Sequence, residues 1–222
     1  MTNEEFLQLY TVQKTGSAAQ RLRARDALTP YRVKNAVLMA AGYGSRLAPI
    51  TDQIPKGLLR IRGEVLVERQ IEQLVEAGVA DIFLVTGYRS EQFAYLGTHP
   101  HVHIVENPDY RRYNNTSSLY RVLDELDNTY ICSADNYFTK NVFAPYVYRS
   151  YYAATYGDEP TEEYYLSVDA DDRITGVQIG GAQGWYMMGH VYFACSFSEQ
   201  FRRLFKRAYE TDSTVREQLW EQ

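Results

Sequence analysis

The sequence is short of the features that mark several classes of protein. Only two of its 222 residues are cysteines, Cys132 and Cys195, and both fall in apolar runs, so a disulfide framework is not expected. No apolar run approaches the roughly 20 residues that a membrane-spanning helix needs. The acidic, polar opening, MTNEEFLQLY, lacks the basic and apolar regions of a secretory signal. We therefore expect a cytoplasmic protein with reduced thiols and no membrane insertion.

Positive charge is also scarce. Lysine and arginine number 23 against 28 acidic residues, and the net charge of −5 gives no overall attraction to nucleic acid. The basic run RLRARD (21–26) is more typical of a solvated helix face than of a nucleic-acid site. Tyrosine is abundant instead, with 20 residues against 9 phenylalanines, which favours half-exposed aromatic surfaces.

The order of predicted elements indicates an α/β fold. The polar residues 1–33 predict a helical arm of two helices, capped by Asn3 and Ser17. From residue 34 onwards we expect a single domain in which apolar strands alternate with amphipathic helices. Strands are predicted at 35–40, 81–87, 102–107 and 129–136, and helices at 64–78 and after a cap at Thr116. This alternation predicts a Rossmann-like, mostly parallel sheet with helices on both faces.

The pattern changes at about residue 150. Four apolar segments, at 151–156, 163–168, 173–179 and 185–193, are separated by turn sequences such as GDEPT and DADD. An amphipathic helix is predicted at 198–210. We expect this second half to add antiparallel strands to the same domain.

The segment AAGYGSRL (40–47) follows the first strand and is rich in glycine. Gly42 and Gly44 allow backbone N–H groups to approach an anion closely, and Arg46 and Lys56 add the charge that a polyphosphate needs. A dinucleotide fingerprint would require glycine where Leu47 stands, and no P-loop sequence follows. A phosphate site and an ordinary turn are both compatible with the glycines alone.

The longer string AVLMAAGYGSRLAPITDQIPKGLL (36–59) resembles the opening motif of nucleotidyltransferases that couple a nucleoside triphosphate to a phosphorylated acceptor. LVTGYRSEQFAYL, ENPDYRRYNNTSSLY and YICSADNYF make the chain similar to bacterial CTP:phosphocholine cytidylyltransferases, and Ser45 stands where sugar-phosphate enzymes usually carry threonine. The resemblance implies cytidylyl transfer from CTP to phosphocholine. A sugar phosphate or an aminoalkyl phosphonate as acceptor, and a non-catalytic nucleotide-binding module, remain alternatives.

The resemblance implies a role for each candidate residue. Arg46 would hold the departing phosphates, Lys56 would lie near the α-phosphate or the acceptor phosphate, and Asp135 would hold Mg²⁺. The implied nucleotide-binding residues are Ala40, Ala41, Gly42, Gly44, Ser45, Gly87, Tyr88, Asn107 and Ser117. Ser118 is a further candidate for a base, ribose or acceptor contact. Asp135 could also simply end a strand, and Thr116, Ser117 and Ser118 could equally cap a helix.

The acceptor would be recognised in the second half of the domain. Choline is a permanent cation without a hydrogen-bond donor, so aromatic faces and carboxylates must bind it. The implied acceptor-binding residues are Asn115, Glu163, Tyr164 and Tyr192, with Tyr165 and Trp185 nearby. A homodimer and a fused or associated choline kinase are further expectations from the resemblance.

One departure from the family concerns the metal. Relatives carry a second metal-binding aspartate in a late acidic strand, whereas this sequence ends at REQLWEQ. We expect either a longer natural protein or a site that lacks this ligand. Asp212, Glu217 and Glu221 remain, and their spacing makes none of them a convincing substitute.

Overall fold

Strands and helices alternate along the chain, and the computed structural model describes all residues from Met1 to Gln222. The α-helices are α1 (Asn3–Thr15), α2 (Ala18–Leu28), α3 (Leu66–Glu76), α4 (Asn115–Arg121) and α5 (Cys195–Thr211). The first strands are β1 (Asn35–Ala40), β2 (Arg60–Ile61), β3 (Glu64–Val65), β4 (Asp81–Thr86), β5 (Val102–Glu106) and β6 (Thr129–Ser133). The last strands are β7 (Tyr151–Gly157), β8 (Thr161–Val168), β9 (Ile174–Gly181) and β10 (Gly184–Phe193).

One large sheet organises the molecule. Its strand order is β5-β4-β1-β6-β10-β8-β9, and β7 pairs with β10. The central strands β5, β4, β1 and β6 are parallel, whereas β7 to β10 are joined by antiparallel pairings. The predicted α/β class, with a mostly parallel central sheet and antiparallel additions, is confirmed.

Helices cover both faces of the central sheet. On one face, Ile71 and Leu74 of α3 pack in a cluster with Leu38, Ile82 and Leu84. The opposite face is covered by α4 and α5, which contribute to a cluster that includes Val37, Val85, Ile131, Leu119 and Phe205. Because both faces of β1 and β4 are buried, residues 36–40 of β1 and 82–85 of β4 are all apolar, without alternation.

The register of the parallel strands brings three loops to one edge of the sheet. Ala40 is paired with Thr86, and Met39 is paired with Ser133. The loops after β1, β4 and β6 therefore leave the sheet side by side, at the edge where α/β proteins bind ligands.

Strands β7, β8 and β9, with residues 184–188 of β10, form an antiparallel extension that we call the flap. A bulge between Met187 and Val191 separates the flap from the part of β10 that pairs with β6. Gly189 lies in this bulge with φ +64°, and a Cβ built on it would come within 2.5 Å of Ser133 Oγ. Only glycine fits at this close approach of two backbones.

Some predicted helix starts are wrong by one or two residues. Thr2, not Asn3, caps α1 through a capping box, whereas Ser17 caps α2 as predicted. Asn114, not Thr116, caps α4, because the Asn114 side chain accepts a hydrogen bond from the Asn115 backbone.

Phe6 anchors the helical arm on Tyr31 and Tyr148. The division of the chain into an arm and a domain at residue 33 stays a prediction. No helix has the length and apolar character to cross a membrane.

Candidate active site

A cavity of about 220 Å³ lies at the carboxyl edge of the central sheet. Its walls come from the end of β1, the Pro55-Lys56-Gly57 segment, the turn after β6 and the start of α4. The lining residues are Met39, Ala40, Ala41, Gly42, Lys56, Gly57, Tyr110, Tyr113, Asn114, Asn115, Ser118, Ser133, Ala134 and Asp135. Of the residues predicted from sequence, the cavity thus brings together Ala40, Ala41, Gly42, Lys56, Asn115, Ser118 and Asp135.

The glycine-rich loop is shaped around Lys56. Gly44 has φ +74°, and a Cβ on it would lie 2.5 Å from Lys56 Cγ. Thr51 Oγ1 donates to the Gly44 carbonyl oxygen at 3.0 Å, which closes the loop over the lysine stem. By contrast, a Cβ on Gly42 would meet no atom within 4 Å, because Gly42 faces the open cavity. Glycine at position 44 therefore leaves room for the Lys56 side chain, whereas glycine at position 42 leaves the cavity open to a ligand.

Lys56 and Asp135 form an ion pair in the cavity wall. Lys56 Nζ lies 2.6 Å from Asp135 Oδ2, and their side chains are 25% and 33% exposed. Lys56 belongs to the segment after the glycine loop, and Asp135 to the turn after β6. The cavity thus contains a cation and a carboxylate that neutralise each other and are accessible to a ligand.

Tyr88 supports the segment after the glycine-rich loop through a hydrogen bond to the Asp52 backbone. Its hydroxyl donates to the Asp52 backbone oxygen at 3.0 Å, and Arg89 donates to the same oxygen at 2.7 Å. Tyr43 donates to the Asp52 carboxylate at 3.0 Å and packs edge-on against Tyr88. Tyr88 is buried and does not line the cavity. In the structure it fixes the segment between Arg46 and Lys56.

Asn107 organises the start of α4. Its Nδ2 donates to Ser117 Oγ at 2.8 Å and to Ser118 Oγ at 3.0 Å, and its Oδ1 accepts from the Asp109 backbone N–H at 3.0 Å. Asn107 and Ser117 are fully buried. Of this network only Ser118 reaches the cavity. Asn107 and Ser117 therefore do not line the cavity themselves, and Asn107 holds the side chain of Ser118, which does.

Glycine at position 87 leaves room for Tyr110 and Ala41, two residues that line the cavity. A Cβ at this position would lie 2.8 Å from Tyr110 Cβ and 3.0 Å from Ala41 Cβ. The missing side chain thus lets Tyr110 approach the loop after β1. Gly87 itself does not line the cavity, whereas Tyr110 and Ala41 do.

Arg46 points away from the cavity toward the flap. Its Nη1 lies 3.2 Å from Glu163 Oε1 on β8, and the two side chains are 79% and 41% exposed. Ser45 and Gly44 are likewise absent from the cavity lining. The structure thus joins the glycine loop to a flap residue that the sequence indicated for the acceptor.

A carboxyl group lies behind Asn115. Asn115 Nδ2 donates to Glu221 Oε2 at 3.2 Å, and Tyr152 OH donates to Glu221 Oε1 at 3.4 Å. Burial raises the pKa of the Glu221 carboxyl above its usual range. The ion pairs of the structure do not include Glu221. A partly buried carboxyl among polar and aromatic groups, without a cation, is suited to a cationic ligand.

The tyrosines of β8 and β10 fall into two groups. Tyr164 is half-buried, and the nearby Glu221 contributes to raising its pKa, although burial contributes most. Tyr192 is fully buried in the core beside Tyr130 and Tyr151, so it does not reach the cavity. Tyr165 is also buried, and the half-exposed Trp185 packs edge-on against Tyr156. Of these tyrosines, Tyr164 is the one that lies near Glu221.

The donor set of the cavity suits one hard cation. Asp135 is the acidic residue in the lining, and no group of three or more His, Cys, Asp or Glu residues could enclose a metal. Mg²⁺ usually takes one or two protein carboxylates and completes its shell with phosphate and water oxygens. Asp135 fits that arrangement, with nucleotide phosphates as further ligands.

Sequence reasoning missed several residues at the site. Tyr113 and Asn114 line the cavity, as does Tyr110. All three lie in the ENPDYRRYNN stretch, whose mixture of aromatic and amide side chains before a helix was the available signal. Glu221 gave no such signal, because its partners Asn115 and Tyr152 are distant in the chain.

Comparison with known proteins agrees with this geometry. The model of the MobA-like NTP transferase domain matches residues 36–165. The chain is 36% identical over 180 residues to the choline-phosphate cytidylyltransferase of Streptococcus pneumoniae, a match covering 81% of this chain and 79% of that protein. It is 37% identical over 190 residues to the 2-aminoethylphosphonate cytidylyltransferase of Lancefieldella rimae, covering 84% and 76%.

A solved structure shows the same fold. The CTP:phosphocholine cytidylyltransferase of Streptococcus pneumoniae superposes with a TM-score of 0.80 at 36% sequence identity, covering 86% of this chain and 82% of that one. The family resemblance carried by the sequence motifs is thereby confirmed. The chain belongs to the MobA-like NTP transferase domain family and is a nucleotidyltransferase.

Proposed function

We propose that this nucleotidyltransferase transfers the cytidylyl group of CTP to phosphocholine, giving CDP-choline and pyrophosphate. The cytidylyltransferase relatives support CTP as the donor. The observation that most favours a cationic acceptor is Glu221, a partly buried carboxyl without a cationic partner beside Asn115 and Tyr152. A quaternary ammonium would supply the positive charge that this carboxyl lacks and would pack on the tyrosine rings, whereas a neutral sugar would supply no charge.

In this proposal the protein mainly positions and neutralises. A phosphocholine oxygen attacks the α-phosphorus of CTP, a new phosphorus–oxygen bond forms, and the bond to the departing pyrophosphate breaks. Attacker and target are both anionic, so Lys56 in the cavity wall would stabilise the charge that develops at the α-phosphate. Arg46 would turn from Glu163 to the departing phosphates. Asp135 would hold Mg²⁺, which supplies further positive charge to the phosphates when it is bound.

The remaining assignments extend this proposal. Backbone groups at Ala41 and Gly42 would cradle the nucleotide, while Gly44, Tyr88 and Asn107 would support the cavity wall. The acceptor would meet Glu163, Tyr164, Asn115 and Glu221. Both cysteines are free, which suits a reducing compartment, and we propose the cytoplasm as the location. The homodimer and the association with a choline kinase stay predictions.

The experiment is a panel of acceptors and nucleotides. Pyrophosphate release would be measured with CTP, UTP, ATP and GTP, each with Mg²⁺ and with phosphocholine, 2-aminoethylphosphonate or glucose 1-phosphate. We expect the highest kcat/KM for CTP with phosphocholine. Preference for 2-aminoethylphosphonate would support the second candidate, which the Lancefieldella relative favours. Absence of release with every pair would leave a non-catalytic nucleotide-binding module.

A matched pair of variants tests the cation site. Glu221→Gln should raise the KM for phosphocholine and leave CTP binding unchanged, because the amide keeps the shape and loses the charge. The exposed Glu217 provides the control, since Glu217→Gln changes the same charge on the surface. Equal KM values in the two variants would contradict the placement of the cation.

A further inference from the structure

Asn136 links the turn that carries Asp135 to the flap. Its Nδ2 donates to the Met188 backbone oxygen at 2.9 Å and to the Gly189 backbone oxygen at 3.1 Å. Both carbonyl groups belong to the bulge of β10, where the flap begins. Asn136 itself does not line the cavity. Its side chain therefore affects the site through the position of the strand that it holds.

The strand segment held by Asn136 has little freedom to adjust. Gly189 adopts φ +64°, and the absence of a Cβ lets it lie against Ser133 at the end of β6. Any shift of the bulge toward the turn would meet the Ser133 side chain. The flap is thus attached to the turn by two hydrogen bonds and one close packing contact.

The turn is fixed from its other side by α3. Gln70 is fully buried, and its Nε2 donates to the Ser133 carbonyl oxygen at 3.0 Å and to the Asn136 carbonyl oxygen at 3.1 Å. These two carbonyl groups flank Asp135 in the sequence. Gln70 therefore anchors the turn in the core, so the side chain of Asn136 transmits a fixed position to the flap.

We propose that Asn136 is a positioning residue that sets the acceptor on the flap against the nucleotide at Asp135. This inference rests on the proposed function, in which Glu163 and Tyr164 of β8 contact the acceptor. Misplacing a reacting group by about 1 Å costs roughly a hundredfold in rate. Asn136→Ala should lower kcat/KM for phosphocholine by about ten- to a hundredfold, while the Kd for CTP stays within about twofold, since the cavity lining is unchanged.

Asn141 supplies a matched control. Its Nδ2 also makes two hydrogen bonds, to the Gln73 backbone oxygen at 2.9 Å and to Glu76 Oε2 at 3.0 Å. Both partners lie on α3, and Asn141 makes no hydrogen bond to the flap. Asn141→Ala should therefore lose stability of the same kind without changing the acceptor kinetics.

The experiment combines kinetics with hydrogen–deuterium exchange. Phosphocholine is varied at saturating CTP, and exchange is followed at the backbone amides of β7, β8 and β10. We expect Asn136→Ala to raise the KM for phosphocholine, lower kcat and speed exchange in the flap, relative to Asn141→Ala. Gly189→Ala should reproduce these effects, and the double variant should be no worse than the stronger single one, because both break the same link. Asn136→Ser, with a single shorter donor, replaces Asn136→Ala if the latter does not fold.

The outcomes separate this inference from the proposed function. Equal acceptor kinetics and equal flap exchange in Asn136→Ala and Asn141→Ala would overturn the positioning role. A wild-type protein that uses no acceptor would contradict the proposed function instead. In that case the flap exchange decides alone: faster exchange in Asn136→Ala supports the link, and unchanged exchange overturns it.

Discussion

Arg46 of the glycine loop and Glu163 of the flap form an ion pair, with 3.2 Å between Arg46 Nη1 and Glu163 Oε1. In the proposed reaction, one of these residues serves the departing phosphates and the other serves the acceptor. The pair must therefore open before either residue meets its substrate. Both side chains are well exposed, so solvent screens the pair and opening it costs little.

The first prediction concerns the release of Arg46. Glu163→Gln removes the competing carboxylate, and exposed ion pairs contribute about 1 kcal/mol at most, so CTP should bind up to roughly fivefold more tightly. The KM for phosphocholine should rise, because the acceptor loses a carboxylate. Isothermal titration at low salt measures the first effect. The exposed neighbour Glu162 gives the control, and an equal change in Glu162→Gln would attribute the gain to general charge.

The second prediction separates binding from turnover at Lys56. Lys56→Ala should lower kcat by at least about a hundredfold while weakening CTP binding far less, since the lysine acts on charge that grows in the transition state. Arg46→Ala should weaken both. Stopped-flow turnover and titration of CTP supply the two numbers. Lys140→Ala, at an exposed position outside the cavity, should behave as wild type. Wild-type turnover in Lys56→Ala would remove this residue from the mechanism.

The third prediction tests why glycine stands at position 44. Gly44→Ala places a methyl group against Lys56 Cγ, so it should displace the lysine and reduce kcat strongly. Gly63 has φ +88° with open space around its missing side chain, so Gly63→Ala carries backbone strain alone. Both variants should lose stability, and only Gly44→Ala should lose turnover. A similar kcat in the two variants would show that Lys56 does not depend on the loop shape.

A buried histidine makes the fold sensitive to acid. His190 lies in the core, with Nε2 2.9 Å from Tyr151 OH and Nδ1 3.3 Å from Cys132 Sγ. Phe138 and Phe143 pack around the imidazole ring. Burial lowers the pKa of His190 from 6.5 to about 4. Between these two pH values the unfolded chain takes up a proton that the folded chain does not.

The fourth prediction follows from that difference. Stability should fall as the pH falls from 6.5 to 4, and His190 should account for roughly 3 kcal/mol of the loss. His190→Gln should be less stable than wild type at pH 7 but should show a flatter decline over this window. Urea unfolding at several pH values measures both effects. The exposed His103 is the control, and the decline in His190→Gln should be flatter than that in His103→Gln. The same decline in His190→Gln would contradict the assignment.

Much of the fold was predictable because the central strands follow simple patterns. The apolar run at 35–40 and the helix stripe of Leu66, Ile71 and Leu74 reflect burial on known faces of the sheet. The predicted strand 129–136 ends early, at Ser133, because Asp135 and Asn136 turn to meet Lys56 and the β10 bulge. Such partners are far apart in the sequence, so no local pattern could indicate them.

The site was predictable to a similar extent. Gly42, Lys56 and Asp135 line the same cavity because the two motifs that contain them follow the ends of the neighbouring strands β1 and β6. Tyr192 was expected at the acceptor and lies in the core instead, since the side of a strand that a tyrosine occupies depends on register. The proposed role of Glu221 rests on contacts with two residues that are distant in the sequence, so no local pattern could indicate it.

The most direct test of the account is the mass of the product formed from CTP and phosphocholine with Mg²⁺. The account predicts CDP-choline and an equal amount of pyrophosphate with the wild-type chain. Lys56→Ala should lower the initial rate of both by at least about a hundredfold. CTP that binds and is returned unchanged, or a rate in Lys56→Ala equal to that of the wild type, would contradict the account.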